Sequence, residues 1–185
     1  MTAPAPWPGR LSLGLHWGVG AGVLGLLAFG FWLRTVPGGP DKTALVQIHK
    51  SVGVIVFAAA LARVAWRMRE GFPVPAGPHA PWERRGAILL HVFLIAATLL
   101  MPLSGILRSL AYARPVSVFG LPLIPKLFEA KHETLYAVAS NLHDGLALLL
   151  SAALALHVAA ALKHHWIDRD ATLTRILGLT RRSGR

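Results

Sequence analysis

Cysteine is absent from the 185 residues. Disulfides, thiolate metal sites, iron–sulfur clusters and the covalent C-x-x-C-H attachment of c-type haem are therefore excluded. Charge is scarce as well. Asp, Glu, Lys and Arg make up 15% of the chain, against ~25% in a soluble domain. Only 8 residues are acidic, whereas 54% are apolar and the mean hydropathy is +0.53. A single domain of this length has too much surface per volume to hide that much apolar side chain in a water-soluble core. The same composition excludes disorder.

What the sequence has instead is four long apolar runs, at about 11–33, 44–66, 86–107 and 142–162. Each approaches the ~20 residues that a helix needs to cross a bilayer. The links between them are punctuated by Pro37, Gly38, Gly39 and Pro40, then by Pro73, Pro75, Gly77, Pro78 and Pro81, then by Pro115, Gly120, Pro122 and Pro125. Pro and Gly at this density break helices. The sequence predicts an all-α, integral membrane four-helix bundle forming one domain over 1–185, with a basic tail at 171–185. A short amphipathic helix is expected at 124–130 and another amphipathic piece at 173–179. The first run is too long for a cleaved signal peptide and lacks an A-x-A-like site after it.

The net charge of +11 fits loops that flank membrane spans rather than a nucleic-acid-binding face. Twelve of the Lys and Arg residues fall at the termini and around the second link, and seven around the first and third links. Both termini are therefore expected in the cytoplasm, and an even number of crossings agrees in putting them on one side. The tail is expected to lie on anionic lipid.

Five of the 9 histidines lie within the spans: His16, His49, His91, His143 and His157. Ionisable groups there are costly and usually functional. With the first span entering from inside, His16 and His157 share the inner depth, and His49 and His143 the outer depth. His143 and His157 are 14 residues apart, about 21 Å along a helix and close to four turns, so both project from one face. A porphyrin held by two imidazoles needs this arrangement, one histidine from each of two helices at matching depth. Two stacked haem sites follow, with the four histidines as axial ligands to iron. Gly14, Gly18, Gly20, Gly22, Gly25, Gly53 and Gly145 would leave room for the planes; ordinary close helix packing is the other reading.

Arg63, 14 residues after His49, is expected at the inner depth, either on a haem propionate or snorkelling to headgroups. His91 is expected to contact a propionate or a ligand of the inner site, with axial ligation of that site as the other reading. His79 falls in the Pro-rich link, and His132 precedes the fourth span. Lys163, His164, His165 and Trp166 close that span. His164, two turns beyond His157, is a candidate to hydrogen-bond and protonate a quinone, with Trp17 lining the pocket; an interfacial belt is the alternative.

Several segments carry a family likeness: Gly14-Leu15-His16-Trp17, Gln47-Ile48-His49-Lys50-Ser51-Val52-Gly53, Arg63-Val64-Ala65-Trp66-Arg67, Met101-Pro102-Leu103-Ser104-Gly105 and Leu156-His157-Val158-Ala159-Ala160-Ala161-Leu162-Lys163-His164-His165. In this order they resemble the bacterial cytochrome b561 family, from about residue 10 to 179. The resemblance implies a four-helix inner-membrane protein with two haem b groups, ligated by His16, His49, His143 and His157. It also implies superoxide oxidase activity, in which superoxide is oxidised at the periplasmic face and ubiquinone is reduced.

One departure concerns the start of the fourth span, where the family has a His-Glu pair. His132-Glu133 imitates that pair, but His132 would lie about 37 Å from His157 on one helix, more than the ~30 Å hydrocarbon core. His143 is the ligand expected here. The outer cations Lys42, Lys50, Arg114, Lys126 and Lys131 would steer a small anionic donor, offset by Asp41, Glu129, Glu133 and Asp144. Two other readings are open: a membrane anchor that carries electrons for a separate dehydrogenase or hydrogenase, and a non-redox transporter using histidine. The sequence leaves the oligomeric state open.

Overall fold

A computed structural model describes residues 9–71 and 80–179. The Pro-rich stretch 72–79, with His79, and the tail residues Arg181, Arg182 and Arg185 lie outside them. Four long helices dominate: α1 (Arg10–Thr35), α2 (Pro40–Glu70), α3 (Pro81–Ala111) and α4 (Glu133–Trp166). A two-stranded antiparallel hairpin, β1 (Val116–Val118) and β2 (Leu121–Ile124), joins α3 to α4, and the short α5 (Thr172–Ile176) follows.

Each long helix is apolar enough to cross a bilayer, with mean hydropathy of 1.5 to 2.2 over its most apolar 18 residues. No more than 17% of any such window is buried inside the chain. The apolar side chains therefore face outward, as lipid requires and water would not allow.

All four spans extend beyond their expected limits, because apolar runs mark the hydrocarbon depth and not the helix ends. The ends are set by local chemistry. Pro40 and Pro81 stand in the first turns of α2 and α3, where a missing N–H is harmless. Glu83 Oε2 accepts from the Ala80 N–H at 3.2 Å. Gly71, with φ +81°, ends α2 and donates its N–H to the Arg67 carbonyl. The largest difference is in α4, which starts at Glu133 rather than near residue 142.

The amphipathic helix expected at 124–130 does not form. Residues 121–124 pair with β1 instead, and 125–130 are irregular. The turn Phe119-Gly120 has both residues at positive φ, 46° and 89°, which is the twist a tight hairpin needs. Pro122 and Pro125 further disfavour a helix there. In the tail, α5 covers only part of the amphipathic piece expected at 173–179.

The helices associate mainly as two hairpins, α1 with α2 and α3 with α4, and α2 also meets α3. The backbone of α4 makes no comparably close approach to α1 or α2. Leu27, Ala97, Leu146 and Leu150 form the buried centre, with Val23, Phe93, Met101 and Leu154 around it.

Where α1 and α2 touch, a Cβ built on Gly22 would lie 2.6 Å from Val56 Cγ2. Gly22→Ala is therefore expected to destabilise the protein by about 1–3 kcal/mol through overpacking. Val56→Ala in the same chain should recover most of that loss. Thermal unfolding in detergent of the two single variants and the double variant checks the coupling.

Candidate haem sites between the helical hairpins

The gap between the hairpins is bridged at two levels by imidazoles. His16 of α1 and His157 of α4 have ring centroids 6.4 Å apart. His49 of α2 and His143 of α4 are 6.5 Å apart. Two imidazole nitrogens each about 2 Å from a shared metal put their ring centroids roughly 6 Å apart. Both pairs have that spacing. Leu150, 1% exposed, sits two turns from each α4 histidine and separates the two levels.

The outer pair is the better defined. His143 Nδ1 lies 3.2 Å from the Met101 carbonyl and 3.0 Å from Ser104 Oγ. A ring that donates its Nδ1 proton to a carbonyl leaves the Nε2 lone pair to bind a metal. Pro102 interrupts the hydrogen-bond ladder of α3 beside that carbonyl. A Cβ on Gly105 would come within 3.2 Å of His143 Cε1, and one on Gly30 within 3.3 Å of His49 Cε1. Glycine at these two positions lets the rings lie against the neighbouring helices. His49 Nδ1 is buried with no hydrogen-bond partner among the described residues, a cost of about 1–3 kcal/mol. An apolar cleft opens beside both rings, lined by Leu27, Gly53, Phe57, Met101 and Val116 among others.

At the inner level Arg63 reaches the depth expected of it. Its Nη2 donates to His16 Nδ1 at 2.9 Å. A neutral ring accepting at Nδ1 carries its proton on Nε2, so metal binding through Nε2 requires this bond to give way. His91 joins the group: its ring centroid is 5.3 Å from that of His157, and its Nδ1 bonds the Ala87 carbonyl at 2.6 Å. Three imidazoles thus gather where one pair is needed. Their spacing, donor atoms and surroundings fit haem b at both levels, where His16 and His157 would hold the inner group and His49 and His143 the outer one.

The remaining candidates are tied to the inner surface. Trp17 Nε1 donates to the Ile176 carbonyl at 2.8 Å, fastening the tail to α1. His164 Nδ1 lies 2.9 Å from carboxylate oxygens of both Asp168 and Asp170. Burial pushes the Asp170 carboxyl up, but hydrogen bonds from Thr172 and the charge of His164 hold it below the usual carboxylate range. Lys163 bridges Glu83 and Asp168 at 2.7 and 2.9 Å.

The glycines noted in the sequence are not the ones that lie against the imidazole rings. Gly22 serves helix packing, and nothing lies within 4 Å of a Cβ on Gly14, Gly18, Gly20, Gly25, Gly53 or Gly145. Gly53 does line the outer cleft. Gly30 was missed; its place one turn before Arg34 carries no signal of its own. His132 caps α4, its Nδ1 accepting the Leu135 N–H at 3.3 Å. The His132-Glu133 pair therefore does the work of a helix start.

A family model described as prokaryotic cytochrome b561 matches residues 9–179. The chain belongs to the prokaryotic cytochrome b561 family. Cytochrome b561 homolog 2 of Escherichia coli (strain K12) is 34% identical over 174 residues, covering 92% of this chain and 90% of the relative. Cytochrome b561 homolog 1 of the same organism is 28% identical over 131 residues, covering 71% and 73%. The chain is a multi-pass cytochrome of the bacterial inner membrane, and electron transfer on haem b is the family's chemistry.

If the two levels bind haem independently, His49→Ala or His143→Ala should remove the outer haem and spare the inner one. His16→Ala or His157→Ala should do the reverse, and His132→Ala should spare both. Haem content and reduced-minus-oxidised spectra of the purified variants decide. Loss of a haem from His132→Ala with full loading of His143→Ala would transfer the outer ligand to His132.

Proposed function

We propose that this cytochrome oxidises superoxide to dioxygen at the periplasmic face and passes the electrons across the membrane to ubiquinone. The observation that carries this reading is the stacking of two imidazole pairs at two depths on one helix. Haem b, when bound at each level, supplies a one-electron ferric/ferrous couple. Superoxide yields one electron and ubiquinone takes two, so two one-electron sites in series suit the pairing of these substrates.

The chain's own residues have distinct tasks. His49 and His143 hold the outer site open to the periplasmic side, and His16 and His157 the inner. Ser104 and the Met101 carbonyl fix the orientation of His143. Arg63 supplies a guanidinium at the inner level for a propionate, in the bidentate manner that suits it. His91 flanks His157. His164, held by Asp168 and Asp170, stands at the inner end of α4 to pass a cytoplasmic proton to a reduced quinone. Trp17, whose edge meets His16 with centroids 5.4 Å apart, forms the wall on that side.

Superoxide should reduce the purified protein at a rate that falls as ionic strength rises, because salt shortens the reach of the outer cations. Stopped-flow absorbance over a range of salt measures this. A rate indifferent to salt removes the attraction of an anionic donor.

His164→Gln should lower ubiquinone turnover by roughly tenfold or more, the usual worth of a positioned proton donor. Both haems should still bind and still accept electrons from the periplasmic donor. Unchanged turnover would move the quinone away from the inner end of α4.

A further inference from the structure

The outer cations are not equivalent. Lys126 is paired with Glu129 at 2.8 Å and Lys131 with Glu133 at 2.7 Å. Asp144 lies 2.8 Å from Arg34 and 3.6 Å from Arg108. These charges are largely spent on one another. Lys42 donates to the Val36 carbonyl at 2.8 Å and lies at the start of α2, before the cleft.

Lys50 differs in each respect. It follows His49 and lines the same cleft as His49 and His143, the one formally charged residue among those that line it. Its ammonium is half-buried and pinned by two oxygens, Ser109 Oγ at 2.7 Å and the Pro115 carbonyl at 3.1 Å. Ser109 is itself buried. An ammonium has three N–H donors, so one is left. Arg114 immediately precedes Pro115, the carbonyl partner of Lys50, and is held over the Tyr112 ring at 4.2 Å. Neither cation has a carboxylate partner among the described residues. A half-buried ammonium lining an apolar cleft, with an exposed arginine beside its carbonyl partner and no carboxylate on either cation among the described residues, calls for an anion.

We infer that Lys50 and Arg114 form a binding site for a small monovalent anion at the mouth of the outer cleft, beside His49. This rests on the proposed function for the anion's identity: superoxide would be held here while it gives one electron to the ferric haem of the outer site and leaves as dioxygen, with no proton moved and no O–O bond broken. A fixed cation holds the anionic reactant and has no charge to hold on the neutral product, so release needs no further step. The hairpin closes the site. Val116 is 1% exposed and lines the cleft, and the Phe119 N–H donates to Ser51 Oγ at 2.9 Å.

The probe is nitrate, exchanged for gluconate at constant ionic strength on the purified, haem-loaded protein. A bound anion favours the ferric state, so the outer haem's midpoint potential should fall saturably with nitrate in the wild type. The shift should vanish in Lys50→Met, shrink in Arg114→Gln and persist in Lys50→Arg. Arg114→Gln leaves the bonds of Lys50 to Ser109 and Pro115 intact, so its result stands even where Lys50→Met disturbs the hairpin. Reduction of the protein by superoxide should slow about tenfold or more in Lys50→Met, the loss of one hydrogen bond between charged groups.

No saturable shift in the wild type, or an equal shift in Lys50→Met, overturns the site. Loss of the outer haem from Lys50→Met also overturns it, because Lys50 then holds a haem carboxylate and not a free anion. A Lys50-dependent nitrate shift in a protein that superoxide cannot reduce upholds the anion site and rejects superoxide as its occupant.

Discussion

Two imidazoles must face each other across a gap wide enough for a metal, and they must do so twice within a bundle of only four helices. One helix, α4, supplies a partner at both levels because His143 and His157 are separated by close to four turns. That demand governs the packing. A helix that faces imidazoles of two neighbours across a gap cannot also press its backbone against them, so α4 leans on α3 and stands off from α1 and α2. The bundle is therefore two hairpins with a seam between them, closed at the middle by Leu27, Leu146 and Leu150. The remaining apolar surface faces outward, and lipid takes the place of a larger core.

The two ends of the seam are finished differently. The outer end is roofed by the β1–β2 hairpin, which is sewn to α2 by Ser51 and Lys50. The inner end carries the denser set of charges. Arg63 and Arg67 of α2 reach His16 and Ser12 of α1, while Lys163 joins α4 to Glu83 of α3. Trp17 then draws the tail across α1. Polar groups inside a bilayer must be satisfied within the protein, and these contacts meet that need at the inner level. His49 Nδ1, at the outer level, and Trp66 Nε1, toward the inner end of α2, are buried without a hydrogen-bond partner among the described residues.

Much of this was legible before any coordinates. Four apolar runs and their Pro/Gly punctuation give the helices, because hydropathy over ~20 residues is a strong signal. Rise per residue converts spacing directly into depth, which pairs His16 with His157 and His49 with His143 from the sequence alone. What stayed hidden depended on local hydrogen bonds or on contacts distant in sequence. Val116–Val118 and Leu121–Ile124 are too short for period-two alternation to stand out. His132 acts as a cap, which its likeness to a ligand motif concealed. Gly30 and Gly105 matter only because His49 and His143 lie against them, and no spacing rule announces that. The engagement of Arg63 with His16, and the carboxylates around His164, are likewise products of tertiary placement.

The central claim is that each chain carries two haem b groups, each between two histidines. Its most direct test is the haem-to-protein ratio of the pure cytochrome, measured with the low-temperature electron paramagnetic resonance of its ferric form. The expected result is two haems per chain, both showing low-spin ferric signals of bis-histidine ligation. A single haem per chain, or a second haem with only one histidine on its iron, would contradict the account.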